Sequence, residues 1–209
     1  MSPENLRVGI DFDNTIVCYD EIFHRVALEK ALIPRDTPKN KESVRDYLRQ
    51  VGKEDVWTEM QGYVYGARMS DVSAFPGALD CISGLREKGI HVVIISHKTR
   101  HPYKGEAYDL HAAAREWLEA NGLAESGPLG ISSKDVFLKE TKKEKLLQIG
   151  FCGCTHFIDD LPEFLADPAF PPNAQKMLFS PTRTDRSSLG KDMMSFKSWR
   201  EIAEFLLAL

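Results

Sequence analysis

Short apolar runs that alternate with helical stretches are the strongest restriction on the fold. LRVGIDF (6–12), IHVVIIS (90–96), DVFLK (135–139), CTHFIDD (154–160) and AQKMLFS (174–180) read as strands. Helical patterns stand between them. One covers 77–88 and stops at Gly89, a residue suited to a left-handed stop. Another covers 108–121 with Leu110, Ala113, Ala114, Trp117 and Leu118 as its stripe, and a third runs from a Thr141 cap to Ile149. A last helix, 198–209, docks through Trp199, Ile202, Phe205 and Leu206. Such alternation implies an α/β fold: a Rossmann-like parallel sheet in three layers, covered on both faces, with right-handed crossovers.

The first and second strands are separated by roughly 75 residues, too many for one crossover helix. DEIFHRVALEKAL, KESVRDYLRQVG and KEDVWTEMQGYVYGA read as three helices, the first broken by Pro34 and Pro38. In the third, Val56, Met60, Tyr63 and Val64 form an apolar stripe. Residues 18–72 are thus expected to be a helical accessory module, and 1–17 with 73–209 the α/β core.

A net charge of −4 offers nothing to a nucleic acid or an acidic membrane surface. The basic run Lys139–Lys145 is interrupted by Glu140 and Glu144. No apolar stretch approaches the ~20 residues that span a bilayer, and MSPENLR lacks the basic start and apolar centre of a signal peptide. Four cysteines are too sparse for a disulfide framework, so a reducing, cytoplasmic setting is expected. Cys152-Gly-Cys154 lacks the second thiol pair of a soft-metal site and reads as packing thiols.

The chemistry should lie beyond the carboxyl ends of the strands, where ligands bind in such sheets. Asp11 and Asp13 end the first strand, Ser96 the second, and Asp159-Asp160 the fourth, while a helix beginning near Lys142 leads into the fourth. Residues two apart in a strand share a side, so Asp11 and Asp13 could face one ligand. Crowded carboxylates need a cation. A hard divalent ion, Mg²⁺, suits an excess of oxygen donors and would bind a phosphate oxygen. Ser96 and a lysine would complete the cradle. Lys142 and Lys145 share a stripe with Leu146 and Ile149, whereas Lys139 and Lys143 look solvated; the choice between Lys142 and Lys145 stays open.

VGIDFDNT, VVIIS, TKKEK and HFIDD occur in that order and span nearly the whole chain. The set resembles the four motifs of the haloacid dehalogenase superfamily of hydrolases. The resemblance implies that Asp11 is the nucleophile, forming an aspartyl-phosphate. Asp13 would be the general acid and then the base, its carbonyl also touching the metal. Ser96 would hydrogen-bond the phosphoryl group, a third-motif lysine (Lys142 or Lys145) would support it, Asp159 and Asp160 would serve the metal, and Thr15 would order the loop. Relatives that cleave carbon–halogen bonds lack the second Asp and transport ATPases carry Thr there, so Asp13 favours phosphate chemistry. The insert resembles the family's helical cap, which implies a small substrate.

The expectation is a Mg²⁺-dependent hydrolase of a small phosphomonoester, a nucleotide or sugar phosphate. A phosphotransferase or mutase, or an idle regulator on the same fold, is the alternative. A phosphoacceptor receiver domain fits poorly, because its lysine lies near the chain end and it has no insert. His97 and Lys98, with Arg100, His101 and Tyr103, crowd the loop after the second strand and could read a substrate's distal group. Trp57, Tyr63, Tyr65 and Arg68 could form a stacking surface but fit a packed core better, and His111 and His156 read as structural. Nucleic acid and membrane are not expected as partners; a homodimer stays open.

Overall fold

The computed structural model describes residues 6–124, 127, 129–182, 190 and 192–209; the first five residues of the segment read for a signal peptide lie outside these. The chain forms two compact units, one of residues 1–16, 74–97 and 122–209, the other of 17–73 and 98–121.

The first unit is built on β1 (Arg7–Ile10), β4 (His91–His97), β5 (Val136–Lys139), β6 (His156–Asp159), β7 (Gln175–Phe179) and β8 (Met193–Phe196). Two short strands, β2 (Val17–Cys18) and β3 (Ser73–Ala74), pair separately. The six-stranded sheet runs β5-β4-β1-β6-β7-β8 and every ladder is parallel. This is the α/β Rossmann-like arrangement expected from the alternation. β1 is central, paired with β4 through Ile10↔Ile94 and with β6 through Ile10↔Ile158. Its Val8 and Ile10 are fully buried, as a strand covered on both faces requires. Gly9 permits this packing: a Cβ there would lie 2.6 Å from the Phe157 ring.

Helices α4 (Ala78–Glu87), α6 (Lys142–Phe151), α7 (Pro162–Leu165) and α8 (Trp199–Leu206) belong to this unit. α6 starts on a capping box in which Thr141 and Glu144 satisfy each other's backbone N–H groups. Its Leu146 and Ile149 pack with Val93, Ile95, Phe157 and Leu178. Cys152 and Cys154 are buried in the same cluster, and the Gln148 amide lies 3.2 Å from Cys152 Sγ, so these thiols pack. Strand β8 was not foreseen. Its MMSF sequence lacks β-branching, and it lies half-buried at the sheet edge, where the apolar signal of a strand is weakest.

The second unit contains α1 (Asp20–Glu29), α2 (Lys41–Gln50), α3 (Glu54–Tyr65) and α5 (Leu110–Ala120). Phe23 and Trp57 stack with centroids 4.9 Å apart, and Tyr19 meets Tyr65 edge-on at 4.8 Å. Trp57 is thus core, and Arg68 pairs with Glu29 and Asp71. The strand–helix alternation places 98–121 with the α/β core, but the structure groups this segment with the helices. The Trp117 indole donates to the Val72 carbonyl at 2.7 Å, holding α5 there. An apolar stripe shows that a helix docks, not which neighbour it docks on. Among the described residues, no helix is long and apolar enough to cross a membrane.

Candidate active site

β1 ends at Ile10, earlier than expected, so the pleat does not set Asp11 and Asp13 on one side. Asp11 extends the pairing by one bond, its N–H donating to the Ile158 carbonyl at 2.9 Å. The chain then turns: Ile16 N–H donates to the Phe12 carbonyl, and Asn14 takes φ 56°, a left-handed conformation that Asn tolerates. Continuing the Ile10↔Ile158 register by one pair sets Asp11 beside Asp159. Both carboxylates are buried, at 4% and 0% exposure.

Lys145 lies between them. Its Nζ donates to Asp11 Oδ1 and to Asp159 Oδ2, each at 2.6 Å, and the residue is only 3% exposed. α6 delivers it because Lys145 stands one residue before Leu146 and four before Ile149, on the stripe that faces the sheet. Helical spacing leaves Lys142 and Lys145 equal, and the structure separates them. Lys142, in the first turn, bends outward and pairs with Asp167 at 2.8 Å. Lys143 is exposed, and Lys139 lies over the Phe137 ring.

The remaining expected residues divide as follows. Asp160 joins Asp11 and Asp159, with one oxygen of each lying within 4.8 Å of the others. The Asp13 side chain is outside that trio, yet its charge bears on Asp11. Asp159 Oδ1 accepts from the Leu161 N–H at 2.9 Å, while α7 begins with no side-chain cap, so the acid pair is not a helix cap. Thr15 is fully buried, with its hydroxyl 3.4 Å from Asp11 Oδ2. Ser96 is also fully buried, and its Oγ has no hydrogen-bond partner among the described residues. His97 is not drawn inward: it is exposed and its Nε2 lies 3.1 Å from the Glu140 carbonyl. Lys98 falls in the helical unit, 4.8 Å from the Tyr65 ring centroid. The helical unit also holds His111, on the Lys98 carbonyl at 2.7 Å.

Electrostatics follow from burial. Removal from water pushes the Asp11 carboxyl well above its ordinary value; Asp159 and Asp13 push it further, and Lys145 opposes them. Burial lowers the Lys145 pKa, but the charges of Asp11 and Asp159 outweigh it and the pKa is raised. When Asp11, Asp159 and Asp160 are ionised, three carboxylates around one ammonium leave a formal charge of −2. That deficit, and an all-oxygen donor set, fit a hard divalent cation. An orphaned buried hydroxyl normally costs stability. Ser96 is therefore explained if its partner is a ligand oxygen.

No family model matches the sequence, and no curated protein matches it. Solved structures do. A hydrolase of this superfamily from Deinococcus radiodurans R1, with bound phosphate and sodium, shares 19% identity over 100% of this chain and 97% of that one, with a TM-score of 0.60. A predicted phosphoglycolate phosphatase from Haemophilus somnus 129pt shares 14% over 99% of each chain, at 0.58. The putative hydrolase YfnB of Bacillus subtilis, bound to magnesium, shares 13% over 96% and 98%, at 0.52. With its central β1 and parallel six-stranded sheet, this chain has the fold of the haloacid dehalogenase-superfamily hydrolases.

Proposed function

We propose that the protein is a Mg²⁺-dependent phosphomonoester hydrolase that works through an aspartyl-phosphate on Asp11. The observation that carries this reading is the buried Asp11–Lys145–Asp159 arrangement at the carboxyl end of the sheet. A carboxylate is rarely buried without purpose, and here an ammonium lies against it and opposes the rise that burial imposes on its pKa. Phosphate in one structural neighbour and magnesium in another support the ligand and the ion.

In this mechanism an Asp11 oxygen attacks phosphorus and the ester P–O bond breaks. Asp13 gives its proton to the departing alkoxide. Asp13 then takes a proton from water, whose oxygen attacks phosphorus and releases phosphate from Asp11. Lys145 orients Asp11 and offsets its charge against the phosphate dianion. Ser96 donates its hydroxyl to a phosphoryl oxygen. Asp11, Asp159 and Asp160, with the Asp13 carbonyl, would hold Mg²⁺, which would supply further charge neutralisation at the phosphoryl group. Residues 17–73, inserted between the first and second core strands, are assigned the family's cap role. The substrate is a small phosphate ester, of the nucleotide or sugar-phosphate class.

The test is turnover by the purified chain of an aryl phosphate and a panel of phosphate esters, with Mg²⁺ and with EDTA. Wild type should turn over only with metal, and acid quenching should trap a phosphoprotein. Asp11→Asn should fold yet lose several powers of ten. Retention of a tenth of wild-type turnover by that variant removes Asp11 as nucleophile. Discharge to a sugar instead of water would mark a phosphotransferase, and no turnover of any ester an idle regulator.

A further inference from the structure

We infer that Trp199, at the start of the C-terminal helix α8, is a positioning residue for Asp11; this rests on the hydrolase reading above. Trp199 is fully buried, and a buried indole must place its N–H. It spends that donor on the catalytic loop, giving it to the Thr15 carbonyl at 2.9 Å across 184 residues of sequence.

Thr15 is the residue whose hydroxyl lies 3.4 Å from Asp11 Oδ2. A relay therefore runs from the indole, through the Thr15 backbone and hydroxyl, to the free side of the Asp11 carboxylate. Lys145 holds the other oxygen, Oδ1. Each carboxylate oxygen thus has a neighbour, Lys145 close on Oδ1 and the Thr15 hydroxyl at longer range on Oδ2. These contacts matter because the chain has left the regular strand here: β1 has already ended and Asn14 sits at φ 56°.

The anchor itself is rigid. Ser198 caps α8 by accepting from the Glu201 N–H at 3.2 Å, and the Glu201 carboxylate accepts from the Lys197 N–H at 2.7 Å. The Trp199 ring packs on Phe179 of β7, with centroids 5.8 Å apart, and Phe179 meets Phe75 edge-on at 4.8 Å. Hydrophobic docking explains why an aromatic side chain stands at 199. It does not explain why the donor points at Thr15, which Phe would lack.

The experiment replaces Trp199 by benzothienylalanine, which keeps the shape and deletes the N–H, alongside Trp199→Phe and 7-azatryptophan, which keeps the N–H. With an aryl phosphate and Mg²⁺, the isostere should lower kcat roughly ten-fold with KM within about two-fold, and 7-azatryptophan should restore it. Its effect should not add to that of Thr15→Ala, because both cut one relay. Unchanged kcat in the isostere, or a loss that only tracks the fraction of folded protein, overturns the inference. A second readout does not need turnover. In ¹H–¹⁵N spectra, assigned with Trp199→Phe, the Trp199 indole resonance should shift beyond its linewidth on Asp11→Asn. An unmoved resonance overturns the relay, whereas absent wild-type turnover with a moving resonance overturns only the hydrolase reading.

Discussion

Lys145→Met should cost far more stability than any other lysine change in α6, and the cost should depend on pH. The substitution removes the ammonium that lies 2.6 Å from both Asp11 and Asp159, at a site where Lys145 is 3% exposed. Breaking a buried ion pair by deleting one partner costs about 3–5 kcal/mol. For a chain of this size each kcal/mol is worth roughly 2–4 °C, so Tm at pH 7 without metal should fall by about 6–20 °C. Lys145→Met leaves Asp11, a carboxyl whose folded pKa already lies above the ordinary 3.8 of an aspartate, without the ammonium that opposed the rise. Such a group weakens the fold as pH rises above 3.8, so the deficit should shrink as pH falls toward that value. The raised pKa of Lys145 itself leaves its contribution complete below 10.5, the ordinary lysine value, and lost only above it. Lys142→Met is the control: its pair with Asp167 has a lysine side chain 45% exposed, so solvent screens it and little stability is at stake. Thermal melts in EDTA from pH 4.5 to 8 decide the matter. A Tm within 2 °C of wild type at pH 7, or a deficit indifferent to pH, would refute the electrostatic reasoning.

Ser96→Ala should leave stability unchanged or slightly improved, since it removes an orphaned hydroxyl, while kcat falls roughly 10²-fold; a clear loss of Tm would mean that Ser96 has a protein partner. Asp13→Asn should slow breakdown of the phosphoenzyme most, seen as accumulation of quenched phosphoprotein, and an unchanged rate reassigns the acid–base role. Burial holds the His156 imidazole below its ordinary 6.5. The folded state then resists protonation, so stability is complete above 6.5 and declines as pH falls below it; His156→Phe, which keeps the ring beside Phe205, should flatten that acid limb in denaturant titrations.

Much of the core was legible because its signals are local. The runs at β1, β4 and β6 are apolar enough to leave no other reading, and their polar last residues named Asp11, Ser96 and Asp159. The choice of lysine was not legible. Lys142 and Lys145 lie on one helical stripe, and only the outward turn of the first helical residue toward Asp167 separates them. β8 escaped because an edge strand needs little apolar character. The grouping of 98–121 escaped because Leu110, Ala114, Trp117 and Leu118 would suit either neighbour. The link from Trp199 to Thr15 spans 184 residues, beyond the reach of any periodicity.

The central seat of β1 also governs when this protein can assemble. Its strand is translated before either of its partners, so its two ladders wait for residues 91–94 and 156–158. Until the ribosome has delivered β6, a nascent chain carries Val8 and Ile10 on a strand with one open edge, a state prone to mispairing with other chains. Closure of such distant ladders is slow. Maturation of the segment bearing Asp11 is therefore a late event in synthesis, and chaperone occupancy of the nascent chain should persist until β6 has emerged from the ribosome.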